Sequence, residues 1–289
     1  MSKSAVVGIS SIILSDKEVE LLKSHQPYGV ILFKRNCSDD IQLKNLTSSI
    51  KEILPEGKIF IDQEGGRVAR LKQPNFIEFP AANKLQTEQE TYDNYFKMGK
   101  YLAELGIDIN CAPIADLYYP YADNIIGDRS FGDNVITVVA LAAAAAKGLM
   151  DAKIIPIIKH IPGHGRALVD SHLELPLVDA ELNILENTDF AVFKALNYLP
   201  MAMTAHIIYS SLDNQLPVTI SKKSIDYIRK KIGFKGIIIS DDINMKALKG
   251  NLTSLTHQVF DAGCDLVLHC SGDFDEMKEV LEAVPFRAK

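Results

Sequence analysis

The sequence predicts an α/β fold, and within that class a single (β/α)8 barrel of the TIM type. Three observations carry this. Short β-branched runs alternate with longer amphipathic stretches along the whole chain, which is the pattern of parallel β/α units. The runs are apolar at nearly every residue, as strands are when helices cover both faces of a sheet. Eight such runs occur in 289 residues, and a lone barrel of this kind takes roughly 250 residues. An open doubly wound sheet is the alternative, and length alone would also allow two domains. No Gly/Ser- or Pro-rich linker divides the chain and no short repeat is visible, so one domain over residues 1–289 is expected.

The first strand is expected at residues 6–9. Residues 5–14 have the apolarity of a short signal core, but no small-residue cleavage site follows them. Instead Ser15-Asp16-Lys17-Glu18 forms a capping box, which predicts a helix over 16–23. Strand followed by helix is therefore the reading, and the protein is expected in the cytoplasm. A strand at 29–33 and a helix at 40–53 follow, then a strand at 58–61. The long segment 76–91 reads as a loop, 91–105 as a helix and 107–112 as a strand. A second long loop, 113–134, leads to an alanine-rich buried helix at 135–146. That run is shorter than the roughly 18 apolar residues a membrane span needs, so no membrane partner is expected. Strands at 154–158, 201–204, 236–240 and 265–269 alternate with helices at 180–196, 222–231 and 252–262, and a last helix covers 274–283.

Composition removes several function classes. Hydrophobic residues at 47% and charged residues at 24% are those of an ordinary globular protein, which excludes disorder and coiled coil as global descriptions. Lysine and arginine total 31 against 37 acidic residues, a net charge of −6. A nucleic-acid binder usually carries a basic excess, so no nucleic-acid partner is expected. Cys37, Cys111, Cys264 and Cys270 form no C-x-x-C pair, which argues against a zinc ribbon and for buried thiols in a reducing compartment. Tryptophan is absent, which disfavours a long polysaccharide groove lined with stacking platforms.

A barrel places its active groups just after the C-terminal ends of its strands. The polar clusters of this chain fall there: Asp62 to Arg67, Asp116 with Asp128 and Arg129, Lys159-His160, Pro162 to Gly165, Asp170-Ser171-His172, His206, and Asp241-Asp242. Asp241 ends an apolar strand, so its carboxylate can serve as metal ligand, base or covalent nucleophile. Asp242 beside it is read as a helix N-cap. Asp170 and His172 are two residues apart and can point the same way in an extended loop. As a dyad, the aspartate would orient the ring and favour its cation, fitting it to give and take a proton; a loop-closing hydrogen bond is the alternative. His160, His164, His172 and Asp170 could instead ligate a metal. Against that, His160 follows a lysine, and His164 fits a role in holding a tight Pro-Gly-His-Gly turn. Asp62, Arg70, Arg129 and Lys159 suit the hydroxyls of a polyol, and would also suit a phosphate. Gly65-Gly66 is not a dinucleotide fingerprint and no phosphate-binding G-x-x-x-x-G-K-[ST] loop occurs, so no cofactor is expected.

Taken together the motifs are recognisable. They are GVILFKRN from Gly29, IDQEGGRVARL from Ile61, INCAPIADL from Ile109, GDRSFG from Gly127, KHIPGHG from Lys159, DSHLELP from Asp170, AMTAHIIY from Ala202 and GFKGIIISDDINM from Gly233. The chain resembles the glycoside hydrolase family 3 β-N-acetylhexosaminidases, the bacterial cytoplasmic type that recycles cell-wall fragments. The resemblance runs in order over nearly the whole chain, and DSH together with DQEGGRV is its more specific part. It implies that Asp241 is the catalytic nucleophile, His172 the acid/base and Asp170 its partner. It implies that Asp62, Arg70, Arg129, Lys159 and His160 bind an N-acetylglucosamine unit. A retaining mechanism without metal follows, on N-acetylglucosamine linked to anhydro-N-acetylmuramic acid, with or without a stem peptide. The loop with Gly163 and Gly165 is expected to move His172 in and out of place. The expected working unit is a monomer acting on a small sugar or muropeptide. A metal-dependent barrel hydrolase and a glycoside phosphorylase of the same family are the rival readings.

Overall fold

The computed structural model describes residues 2–286. Eight parallel strands close into a barrel: β1 (Lys3–Gly8), β2 (Pro27–Leu32), β3 (Lys58–Ile61), β4 (Ile109–Asn110), β5 (Ile155–Ile161), β6 (Met201–Thr204), β7 (Ile237–Asp242) and β8 (Leu266–His269). Each pairs with its neighbour in chain order, and β8 pairs back onto β1 through Ala5↔Val267 and Val7↔His269. The barrel, not the open sheet, is the architecture.

Continuous apolarity has the expected cause. Strand residues alternate between two faces, and here both faces are buried. Val6, Ile31, Phe60, Ile109, Ile157, Met201, Ile239 and Leu266 pack together in the barrel interior. Their neighbours Val7, Val30, Ile61, Ile158, Ala202, Ile238 and Val267 belong to the second core, between strands and helices.

The helices around it are α1 (Asp16–His25), α2 (Asp40–Ile53), α3 (Glu88–Glu104), α4 (Val135–Asp151), α5 (Leu182–Asn187), α6 (Asp189–Ala195), α7 (Lys222–Tyr227), α8 (Leu252–Ala262) and α9 (Phe274–Ala283). The capping box at α1 is formed: Glu18 N–H donates to Ser15 Oγ, and Ser15 N–H donates to Glu18 at 2.8 Å. The alanines of α4 let it lie close on α3. A Cβ on Gly148 would stand 2.6 Å from the Tyr92 carbonyl oxygen, so only glycine fits that crossing.

Several boundaries differ from the sequence reading, each for a local reason. The fourth strand keeps two regularly paired residues, not six. Asp108 and Cys111 still donate to the Ile59 and Ile61 carbonyls, but Pro113 has no N–H to continue the ladder. The helix expected over 180–196 divides into α5 and α6 at Thr188, whose hydroxyl donates back to the Ile184 carbonyl at 2.7 Å. The helix expected over 222–231 runs into a wider π turn at Ile228–Ile232. Two short strands, Leu177–Val178 and Ile208–Tyr209, pair outside the barrel and join the loops that follow β5 and β6. Asp242 does not cap a helix. It is the last residue of β7, and the next helix starts at Leu252 under an Asn251 cap. Its carboxylate accepts instead from the Asn244 and Cys270 amides, each at 3.1 Å.

At the closing seam, Lys3 Nζ donates to the Leu281 carbonyl at 2.6 Å and Ser4 N–H to the Pro285 carbonyl at 3.1 Å. No helix among the described residues is long and apolar enough to cross a membrane.

Candidate active site

A cavity of about 200 Å³ opens at the C-terminal end of the barrel. Space on that scale suits one substituted sugar ring. Asp62, Arg70, Arg129, Lys159, His160, His172 and Asp241 all line it. Asp170 stands behind His172, bonded to it. The structure therefore brings to one place every residue that the resemblance assigns to catalysis or sugar binding, whereas Asp128 pairs with Arg67 outside this cavity.

The floor is an ion network built on strand ends. Lys159 Nζ, on β5, lies 2.6 Å from Asp62 Oδ1 and 2.6 Å from Glu64 Oε1. Arg70 Nη2 donates to the other Asp62 oxygen at 2.5 Å. Arg129 holds Glu64 with two bonds of 2.8 Å, from Nε and Nη2. Burial alone would raise the Asp62 carboxyl, but Lys159 and Arg70 outweigh it and hold Asp62 far below the usual carboxylate range. Glu64 is likewise lowered, its burial outweighed by Arg129 and Lys159. The Gln63 side chain accepts from the Arg70 and Leu71 amides, at 2.8 and 3.0 Å, and fixes the turn that carries these groups. A third Arg129 bond goes from Nη1 to the Ile125 carbonyl at 2.9 Å. A guanidinium has five N–H groups, so one on Nη1 and one on Nη2 remain for a ligand.

Asp116, buried at the exit of β4, organises the next wall. Its carboxylate accepts from His160 Nδ1 at 2.7 Å and from the His164 amide at 2.7 Å. It stays ionised, because the pull of the two histidines and the His160 amide exceeds the cost of burial. An ionised carboxylate only accepts, so His160 donates to it from Nδ1. The glycines of this turn are closely packed. A Cβ on Gly165 would lie 2.0 Å from the Leu117 carbonyl oxygen, and Gly163 sits at φ +147° with the Tyr209 hydroxyl donating to its carbonyl at 2.9 Å. The exposed part of the loop begins beyond them, at Leu168.

Asp241 is set by a chain of small polar groups. Its amide donates to Thr204 Oγ1 at 3.3 Å, Thr204 meets Thr219 at 2.8 Å, and Thr219 meets His206 Nδ1 at 2.6 Å. His206 Nε2 donates to the Asp242 carbonyl at 3.0 Å, which closes the circuit around the end of β7. Burial would raise the Asp241 carboxyl, yet His206, His160, the Asp242 amide and His172 together lower it. The group is therefore a carboxylate at neutral pH.

His172 hangs over this floor from the loop after β5. Its Nδ1 meets Asp170 Oδ1 at 2.8 Å, and the same oxygen accepts the His172 amide at 2.8 Å. Burial raises Asp170 and the bonds from His172 lower it, with a net downward shift. With Nδ1–H given to a carboxylate, Nε2 is the ring nitrogen left for another partner. Among the described residues no three His, Cys, Asp or Glu side chains are arranged to hold a metal ion.

The sequence reading placed Glu64, Asp116 and His206 at the strand ends but gave them no part in a site, and it weighed His164 only as a metal ligand or a holder of its turn. Glu64 and Asp116 neutralise and aim the cations and rings that were singled out. Their signal was position alone; their partners, 65 and 44 residues away, leave no local pattern.

A barrel with a carboxylate at the end of β7, a histidine-aspartate dyad after β5 and a cationic floor defines a class of carbohydrate-cleaving enzyme, and the chain belongs to glycoside hydrolase family 3. The family profile "Glycosyl hydrolase family 3 N terminal domain" matches residues 5–286. Within the family it is a glycoside hydrolase of the β-hexosaminidase, NagZ type. It is 34% identical to a β-hexosaminidase of Glaesserella parasuis over 98% of this chain and 84% of that one. It is 36% identical to the β-hexosaminidase of Haemophilus influenzae over 93% and 79%. NagZ from Neisseria gonorrhoeae, solved with N-trifluoroacetyl-D-glucosamine, superposes with a TM-score of 0.92 at 33% identity, over 100% of this chain and 87% of that one. A family 3 β-N-acetylglucosaminidase from Paenibacillus also gives 0.92, at 29% identity, over 97% of this chain and 56% of the other.

Proposed function

We propose that the protein is a retaining β-N-acetylglucosaminidase that removes non-reducing terminal N-acetylglucosamine from peptidoglycan fragments, the anhydro-muropeptides. The observation that carries this is the joint presentation of Asp241 and His172 to one cavity floored by Asp62, Arg70 and Lys159. The Asp241 carboxylate attacks the anomeric carbon as the glycosidic C–O bond breaks. His172 Nε2–H passes its proton to the leaving oxygen, and a glycosyl-aspartate forms. The neutral imidazole then takes a proton from water, whose oxygen attacks the anomeric carbon. The ester C–O bond breaks and releases the sugar, with Asp241 and the imidazolium restored. This is the two-step retaining scheme with a histidine in place of the second carboxyl. Cationic as acid and neutral as base, the histidine adds no negative charge beside Asp241 in either step.

Asp62, Arg70, Arg129, Lys159 and His160 hold the sugar in this reading. Asp62 accepts from its hydroxyls, and the cations donate to its oxygens. The Neisseria relative's N-acylglucosamine ligand agrees with that sugar class. Residues 1–289 act as one catalytic unit, a monomer working in the cytoplasm without cofactor; the four free thiols suit a reducing compartment.

The test is a panel of aryl glycosides that varies the sugar, run with and without phosphate. Aryl β-N-acetylglucosaminides are expected to turn over to free sugar, and Asp241→Ala to lower the rate at least roughly 10³-fold. Near wild-type activity in Asp241→Ala, or a sugar phosphate as product, would overturn the reading.

A further inference from the structure

The loop that carries the dyad is held to the barrel in an uneven way. Its base is pinned by Arg166, whose Nε donates to Asp189 at 2.6 Å and whose Nη2 donates to the Tyr119 hydroxyl at 2.7 Å. Beyond Ala167 the chain turns outward. Leu168 and Leu173 are 63% and 68% exposed, and the His172 side chain is 59% exposed. One tip residue goes the other way: Ser171, between the two dyad residues, is 2% exposed.

Among the described residues the Ser171 side chain reaches a single hydrogen-bond partner. Its hydroxyl lies 3.0 Å from Nε2 of His164, a ring that is itself buried and lines the cavity. The other ring nitrogen, Nδ1, is buried without a partner. A buried N–H without an acceptor is costlier than a bare lone pair, so the hydrogen sits on Nε2 and is donated to Ser171. His164 in turn is fixed through its amide by Asp116, the same carboxylate that aims His160. One unbroken path therefore runs from the sugar-facing wall through His164 to the residue between Asp170 and His172.

We propose that the His164–Ser171 hydrogen bond is the latch that holds the loop closed with His172 over Asp241, which makes both residues positioning residues for the proton-transfer step. The proposal rests on the enzymatic reading above. The latch joins the loop tip to the barrel between two leucines, Leu168 and Leu173, that stay exposed. It acts on the dyad because Ser171 is covalently flanked by its two members. Without it the Asp170–His172 pair stays intact but is no longer placed over the nucleophile.

The experiment measures kcat/KM of Ser171→Ala on aryl β-N-acetylglucosaminides whose leaving groups run from phenol to dinitrophenol. One neutral hydrogen bond corresponds to a roughly tenfold loss. That loss is expected for the phenyl glycoside, which needs a proton, and less than about twofold for the dinitrophenyl glycoside, which does not. Ser171→Thr keeps a hydroxyl and is expected to recover the phenyl rate. In a His172→Ala background, Ser171→Ala is expected to cost nothing more, because it acts through the histidine. An equal loss for every leaving group, an additive loss in the His172→Ala background, or no loss at all would overturn the latch. Wild-type turnover and its disappearance in Asp241→Ala test the underlying reading separately; if the wild type turns over no member of the panel, the reading and the latch fall together.

Discussion

The barrel floor and the loop above it hold their charges in opposite ways. Lys159 is 3% exposed and bonded to two carboxylates, each of which has a further arginine partner. His172 is 59% exposed and bonded to Asp170 alone. The floor is anchored by Lys159 on β5, and its other members, from the segments after β3 and β4, are tied to it in one ion network. The loop belongs to a surface excursion tied down at Arg166 and Ser171. Recognition of a sugar needs groups already in place. Proton transfer needs a ring with one free nitrogen and access for water in the second step. In the proposed reaction the first demand falls on the buried floor and the second on the exposed loop.

The comparison can be broken first at Lys159. Lys159→Met leaves Asp62 and Glu64 with one arginine each in a buried site. It is expected to cost about 3 kcal/mol of folding stability together with activity, read by denaturant unfolding and by kcat/KM on the same preparation. His172→Ala is the converse. It is expected to lower kcat/KM for poor leaving groups roughly 10²-fold or more while leaving stability within about 0.5 kcal/mol of wild type. If the two variants lost stability equally, floor and loop would not be distinct. The smallest expected effect is on pH. Burial, with His160 beside it, lowers His164 from 6.5 to about 4. Its unfolded form therefore takes up a proton before its folded form does. Stability is whole above about pH 6.5 and declines as pH falls toward 4. The depressed carboxylates Asp62, Asp116 and Asp241 contribute stability that is complete above the ordinary carboxylate range and lost only in stronger acid. Thermal melts across pH 4 to 6.5 are expected to show the decline, and His164→Gln is expected to flatten part of it. An unchanged slope in that variant would assign the decline to other groups.

Much of this was legible in the sequence. Strands buried on both faces announce themselves as unbroken apolar runs, and the Ser15–Glu18 box marks its helix unaided. The site was legible as far as barrel geometry collects strand ends, so Asp62, Lys159 and Asp241 could be placed together. Three features were not legible. Asp242 ends a strand and precedes a helix, as a cap does, but nine residues separate it from α8. Thr188 breaks a helix whose apolar period continues through it. Ser171 reads as the neutral middle of a motif, and only the fold shows that it turns inward onto a ring seven positions earlier. Hydrophobic periodicity is local, whereas a polar partner depends on where the chain returns.

The seam between β1 and β8 has a different consequence. With Lys3 reaching the Leu281 carbonyl and Ser4 the Pro285 carbonyl, the two ends of the described chain lie side by side. A short linker could join them without crossing the barrel mouth. New ends opened at the exposed Pro55-Glu56 turn, between α2 and β3, would fall at the opposite end of the strands from the cavity. A circularly permuted chain of this kind keeps each strand beside its neighbour and each loop above the cavity. The order in which the polypeptide is synthesised is thus separable from the arrangement that does the chemistry.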